Sequence, residues 1–264
     1  MLYLVGKIER LGIRPVADFE TLNYQIMTNL DASTEATITD ETAIGFIPCY
    51  RLPFLSLFHA DCMEIMKQYP DKYFDLAIVD PPYGIGAGKE KPHNGWKDYG
   101  IKHWDNESPD KTYFNELFRV SQNQIIWGAN HFISKIPKDF SCFIVWDKGQ
   151  RDFSLADGEM AWTSFKTAAR IFTYARARAL QEGKIHPTQK PVKLYEWLLK
   201  NYAKEGDKIL DTHFGSGSIA LAVDKANRLD KMNLHLTACE IDKEYIDKAI
   251  KRISESIKQG TLSF

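Results

Sequence analysis

Four consecutive residues, Asp80-Pro81-Pro82-Tyr83, end the apolar run Phe74–Val79. Proline has no N–H donor and a fixed φ, so two in a row stop a paired strand at that point. The carbonyls of such a segment lack local partners and can face a ligand. Asp80 supplies an acceptor and Tyr83 a flat stacking surface. Together they can take two hydrogen bonds from an exocyclic amino group and stack on its ring. Read alone, the same residues also fit a strand-ending turn with a buried tyrosine. A second cluster is Asp211-Thr212-His213-Phe214-Gly215-Ser216-Gly217-Ser218. Its glycines allow a tight turn and let a ligand approach the backbone. Glu240 lies 29 residues after Asp211 and ends the next strand pattern, where an acid suits two ribose hydroxyls. By itself this is a weak dinucleotide-type signal, and a GxG turn is also a common way from strand to helix. The third cluster, Ile185-His186-Pro187-Thr188-Gln189-Lys190-Pro191, is a rigid polar stretch before a helix pattern. It reads equally well as a helix-entry loop.

The elements that would position these residues alternate along the chain. Strand patterns cover Ser56–Ala60, Phe74–Val79, Gln124–Trp127, Cys142–Trp146, Glu159–Trp162, Lys208–Leu210 and Leu234–Cys239. Helix patterns cover Met63–Tyr69, Tyr113–Val120, Val192–Tyr202, Ile219 to about Asn227, and Lys243–Lys258. The start of the helix at Val192 directly follows Pro191, a good helix-opening residue. Such alternation predicts an α/β fold with a largely parallel sheet and helices on both faces. Ligands of such sheets bind beyond the carboxyl ends of strands, which is where Asp61, Asp80, Asp211 and Glu240 fall. Residues 84–111 form a long loop with little periodicity, a length usually functional or disordered. The sequence divides into an N-terminal extension, residues 1–50, of unassigned role and a domain over residues 51–264 with a short basic insert near 165–184.

Composition excludes whole classes. The 264 residues are 44% hydrophobic and 26% charged, so the chain is not disordered, collagenous or coiled-coil as a whole. No apolar run approaches the roughly 18 to 20 residues that span a bilayer. The N-terminus has no basic region or small-residue cleavage site of a signal peptide. Cys49, Cys62, Cys142 and Cys239 form no CxxC pair, and reduced thiols in the cytoplasm are expected. No ligand set suggests a metal. Net charge is −1, so a global nucleic-acid footprint is absent. Locally it is present: Lys166, Arg170, Arg176, Arg178, Lys184, Lys190 and Lys193 face only Glu182, and Lys89, Lys91, Lys97, Lys102 and Lys111 lie in or end the 84–111 loop. A solvated face is the other reading of such runs.

The three clusters together resemble the motifs of amino-group DNA methyltransferases that use S-adenosylmethionine. The resemblance covers roughly residues 54–253. In that family a DPPY motif forms the catalytic site, a D-x-F-x-G-S-G turn and a later acid hold the cofactor, and an H-P-T-Q-K-P segment closes over its methionine end. The order here, catalytic motif, then HPTQKP, then glycine turn, is a circular permutation similar to the beta-ordered group of adenine-N6 and cytosine-N4 enzymes. The resemblance implies a Rossmann-like methyltransferase sheet. It implies catalytic roles for Asp80, Pro81, Pro82 and Tyr83. It implies cofactor contacts from Asp61, Asp80, His186, Thr188, Gln189, Lys190, Asp211, Phe214, Gly215, Ser216, Gly217 and Glu240. Trp127 to His131 and Trp146-Asp147-Lys148-Gly149 resemble strand ends that line the target-base pocket.

The implied reaction is transfer of a methyl group to the N6 amino group of adenine in DNA. Cytosine-N4 methylation is the alternative, although those enzymes more often carry Ser in place of Asp80. A catalytically silent DNA- or partner-binding module is the alternative of another class. DNA phosphates would meet Lys89, Lys91, Lys166, Arg170, Arg176 and Arg178. A homodimer and a cognate restriction endonuclease are the further partners that the resemblance allows. Two departures stand out. Thr212-His213 replaces the Pro-aromatic pair of many relatives, a DTH turn similar to that of some phage-borne methylases. Only about 20 residues, Phe165–Lys184, separate the Trp-Asp-Lys strand from HPTQKP, where relatives carry a sizeable recognition region. Sequence reading then falls to this basic hairpin or helix, the 84–111 loop, the N-terminal residues, or another subunit.

Overall fold

The computed structural model describes residues 46–86, 105–139, 142–151 and 156–261, all within the compact unit Phe46–Phe264. The expected N-terminal extension, apart from its last few residues, and most of the 84–111 loop lie outside the described residues. Nine strands form one sheet among the described residues: β1 (Tyr50–Leu52), β2 (Leu55–His59), β3 (Phe74–Val79), β4 (Ser121–Trp127), β5 (Phe143–Asp147), β6 (Gly158–Thr163), β7 (Arg170–Thr173), β8 (Lys208–Asp211) and β9 (His235–Glu240). Their order is β1-β2-β9-β8-β3-β4-β6-β5-β7. Six helices accompany them: α1 (Cys62–Met66), α2 (Lys111–Val120), α3 (Arg176–Gln181), α4 (Val192–Tyr202), α5 (Ser218–Asp230) and α6 (Lys243–Thr261).

Strand alternation sorts the core into two layers. Leu57, Leu76, Ile78, Ile125, Ile209 and Leu236 share a buried cluster with Leu194 and Leu198 of α4, Ile219 and Val223 of α5, and Ile246 and Ile253 of α6. Their neighbours along the strands point to the opposite face, where Phe118 of α2 meets the Trp162 ring edge-on at 5.3 Å. Helices therefore cover both faces, as expected for a Rossmann-like sheet.

The parallel expectation holds for the block β2, β9, β8, β3 and β4. It fails at β6, which runs antiparallel to both β4 and β5. The reason is length: only ten residues, 148–157, join β5 to β6, and a parallel crossover needs a dozen or more. The basic insert, expected as a hairpin or helix, is instead strand β7, paired in parallel with β5 at the sheet edge, followed by the short helix α3. Its Arg-Ile-Phe-Thr is only four residues and mostly exposed, so it carries no periodicity to read. Strand β1 is shorter still, three residues.

Candidate active site

Register brings the three sequence clusters together. β3 pairs with β8 through Leu76–Ile209 and Ala77–Leu210, so Asp80 and Asp211 end adjacent strands. β9 lies on the other side of β8, with Asp211 opposite Ala238, and β2 beyond it has His59 opposite Glu240. Four neighbouring strand ends thus deliver Asp80, the glycine turn, Glu240 and Asp61 to one edge. A cleft of about 280 Å³ opens there. It is lined by Asp61, Asp80, Pro82, His186, Thr188, Gln189, Lys190, Phe214, Gly215, Ser216 and Glu240 from the expected set. Ala60, Cys62, Tyr195, Thr212, His213, Ile241 and Tyr245, which the motifs do not mark as binding residues, complete it.

Local structure explains how each polar group is held. Asp61 is the N-cap of α1, its Oδ1 accepting from Met63 N at 2.7 Å. Glu240 Oε2 accepts from Gly215 N at 2.9 Å, and its Oε1 accepts from Ile241 N and Asp242 N, each at 2.9 Å. A carboxylate has about four acceptor sites, so one direction remains for a ligand. Gly217 closes the turn as the N-cap of α5 with φ +70°. A Cβ there would press on Ile253 and the Phe214 ring at 3.2 Å. Gly217 shapes the turn without lining the cleft.

Asp211 is likewise behind the cleft. It is buried, and its Oδ1 accepts from His213 N at 3.0 Å. Burial pushes its carboxyl from 3.8 up to about 8. A folded-state value above the unfolded one means the folded chain holds the proton longer. Stability from this group is therefore complete below pH 3.8 and is lost as pH rises through about 8. Asp211→Asn keeps an acceptor for His213 N and removes the ionisation. Melting curves should show the variant's advantage over the parent largest near pH 9 and vanishing toward pH 4. A constant difference across that range would refute the assignment.

The HPTQKP segment divides its work. Gln189 folds its own loop, Oε1 accepting from Ile185 N and Nε2 donating to the Gly183 carbonyl, both at 3.0 Å. The His186 ring packs on Tyr245 at 4.2 Å and its Nδ1 takes the Thr188 N–H at 3.3 Å. Burial, with Lys184 and Lys190 nearby, lowers His186 to about 3, so the ring is neutral. Burial also lowers His213 to about 4, and its Nδ1 lies 2.9 Å from Thr212 Oγ1, itself 2.6 Å from the Tyr113 hydroxyl. No group of three or more potential metal ligands occurs among the described residues.

Lys190 reaches further than the resemblance implied. Its buried ammonium lies 2.5 Å from Asp80 Oδ2, 3.1 Å from Glu159 Oε2 and 3.1 Å from the Tyr83 hydroxyl. All three of its donors are directed. Tyr83 donates to Asp80 Oδ1 at 2.8 Å and lies 3.4 Å from Glu159 Oε2. Lys148 holds the other Glu159 oxygen at 2.7 Å. The Tyr83 ring stacks on His131 at 4.8 Å and 15°. Its other neighbour is the backbone of Gly128, where a Cβ would overlap the ring at 2.0 Å. Burial raises Glu159, but Lys190 and Lys148 outweigh it and hold the carboxyl at about 2. For Lys190, burial works against the charge and the two acids more than restore it. Glu159 is not among the residues that the motifs imply; the available signal is an acid inside a strand whose later residues are buried.

Residues 137–251 match the N6/N4 methyltransferase family model, described as DNA methylase. Over that span the chain is similar to DNA methylases. The matched span holds Glu159, Lys190, the glycine turn and Glu240, while the Asp80 motif precedes it. The chain is 27% identical to the type II methyltransferase M.HinfI of Haemophilus influenzae, covering 76% of this chain and 68% of that protein. It is 26% identical to the type II methyltransferase M2.DpnII of Streptococcus pneumoniae, covering 78% and 92%. Its fold matches PvuII DNA methyltransferase (cytosine-N4-specific), with TM-score 0.54, 14% identity and coverage of 79% and 89%. It also matches an M1.HpyAVI–SAM complex, with TM-score 0.50, 22% identity and coverage of 75% and 98%.

The expected DNA contacts divide by position. Arg176 N donates to the Lys148 carbonyl at 2.9 Å, which ties helix α3 to the strand ends beside Glu159. Arg178 on this helix is exposed and Arg176 half-buried. Arg170 is exposed and lies level with Ile144, but on β7, four strands from β3. Lys166 is exposed and follows the end of antiparallel β6, so it falls toward the opposite end of the sheet. Lys89 and Lys91 lie outside the described residues. No helix among the described residues is long and apolar enough to cross a membrane.

Proposed function

We propose that this protein transfers a methyl group from S-adenosylmethionine to the N6 amino group of adenine in DNA. The observation that supports the reading is that Asp80, which accepts from the Tyr83 hydroxyl, lines the same cleft as Asp61, the glycine turn and Glu240. The cleft suits that cofactor chemically. Glu240 offers its remaining carboxylate acceptor to a ribose hydroxyl, Asp61 an acceptor to an exocyclic amine, and Phe214, Ile241 and Tyr245 apolar walls. When bound, S-adenosylmethionine supplies an electrophilic methyl group on a sulfonium.

The amino nitrogen of adenine is a poor nucleophile because its lone pair is delocalised into the ring. Asp80 and the Pro81 carbonyl accept its two hydrogens, favour a pyramidal nitrogen and localise the pair. Asp80 also stabilises the positive charge that develops on that nitrogen. The scaffold's remaining task is alignment at near-attack distance. A base inside a duplex cannot reach this edge, so it must flip out at a cost of a few kcal/mol. His131 and the Gly128 backbone already flank the Tyr83 ring, so a base stacks on Tyr83 only where His131 gives way. An Asp rather than a Ser at position 80 favours adenine over cytosine.

The direct test is to incubate the protein with labelled cofactor and mixed-sequence duplex DNA, digest to nucleosides and identify the product by mass. N6-methyladenine is the expected product. N4-methylcytosine would reverse the base, and no product despite cofactor binding would favour a silent binding module. Phosphate contact should come from the site-end cations. Arg178→Ala is expected to weaken DNA binding evenly across sequences and reduce the slope of log affinity against log salt by about one. Lys166→Ala should leave that slope closer to the parent's; equal effects would remove α3 from the interface.

A further inference from the structure

In the structure each oxygen of the Asp80 carboxylate already accepts one hydrogen bond. Lys190 holds Asp80 Oδ2 at 2.5 Å, and the Tyr83 hydroxyl donates to Oδ1 at 2.8 Å. An oxygen released from its present donor accepts an incoming amino N–H more strongly. Lys190 cannot leave, because its ammonium is buried and its other two donors point to Tyr83 and Glu159. The Tyr83 hydroxyl can leave, since it lies 3.4 Å from a second acceptor, Glu159 Oε2. Its ring is held between the Gly128 backbone and His131, so a small turn of the O–H suffices. Glu159 is itself fixed by Lys148 at 2.7 Å on its other oxygen, and by its strand position opposite Trp146.

Resting on the amino-group reading above, we propose that Glu159 is a positioning residue that receives the Tyr83 hydroxyl when the target base engages Asp80. The hydrogen bond moves from Asp80 Oδ1 to Glu159 Oε2, no proton is transferred, and Asp80 Oδ1 then serves the amino N–H without a competing donor. Without Glu159 the hydroxyl would either keep competing for Oδ1 or leave its own proton buried without an acceptor. A buried hydroxyl proton without an acceptor slows the step roughly tenfold or more.

A double-mutant cycle tests this with Glu159→Leu, which has no acceptor, and Tyr83→Phe, which removes the hydroxyl and keeps the ring. The measurement is single-turnover methyl transfer to DNA at saturating cofactor, with cofactor affinity measured by calorimetry on each variant. Glu159→Leu alone is expected to slow transfer about tenfold or more with cofactor affinity unchanged. In the Tyr83→Phe background the same substitution should cost less than about threefold. An equal loss in both backgrounds would overturn the proposal and leave Glu159 as a prop for Lys190. Should the Leu variant fail to fold, Glu159→Gln replaces it. It keeps a weaker acceptor, and its smaller loss must likewise shrink in the Tyr83→Phe background. Absence of product from the unmodified protein would sink the amino-group reading itself, whereas normal parental transfer without coupling sinks only this inference.

Discussion

Asp80→Ala is expected to abolish methyl transfer while leaving the cofactor cleft able to bind. In the proposed mechanism the substitution removes the acceptor that localises the amino lone pair and stabilises the developing charge. Removing one such electrostatic group lowers rates by about a hundred- to a thousandfold in well-ordered sites. Asp61, Glu240 and the glycine turn are held by their own backbone contacts, none of which passes through Asp80. Calorimetry should therefore give near-parental cofactor affinity, and single-turnover assays should give about a thousandfold slower transfer or worse. The variant also strips Lys190 of its shortest contact, so a lower melting temperature accompanies the loss. Glu159 still pairs with that ammonium at 3.1 Å, which keeps the chain folded. Transfer at the parental rate would end the proposed mechanism.

Lys190→Met should damage both stability and activity. Asp80 and Glu159 would then face each other in a buried site, with only Lys148 as a counter-cation at Glu159. Breaking a buried pair by removing one partner destabilises by about 3 to 5 kcal/mol. In the parent, burial already raises Asp80 above its ordinary value, Lys190 pulls it down, and Glu159 pushes it up. Deleting the lysine leaves the upward influences opposed only by the Tyr83 hydrogen bond. The raised carboxyl contributes stability that is present at low pH and lost as pH rises through its folded-state value. The destabilisation should thus be larger at pH 8 than at pH 5. The acidic limb of the transfer rate should move to higher pH, because Asp80 must be ionised to act. Equal destabilisation at both pH values, with an unmoved acidic limb, would show that Lys190 acts only by filling space.

Much of the site is legible in the chain because its groups sit where strands end. Asp80, Asp211 and Glu240 each terminate an apolar run, and the open ends of a sheet with helices on both faces are where ligands bind. Local chemistry alone marks those stops: two prolines after Asp80 and two glycines after Phe214. The outcome for Lys190 is different. Its motif points to the cofactor's methionine end, yet its ammonium rests on Asp80 and Glu159. Nothing near Lys190 in the chain names those partners, since each comes from a distant strand. Glu159 is hidden for a related reason: it sits on β6, whose inversion against β4 and β5 swings that carboxylate to the catalytic end. Residue types and spacing, by themselves, determined the layered fold and which groups could bind or react. Only the tertiary structure decided which acid meets which cation, because strand direction and register are set by packing across the whole sheet and not by the residues on either side.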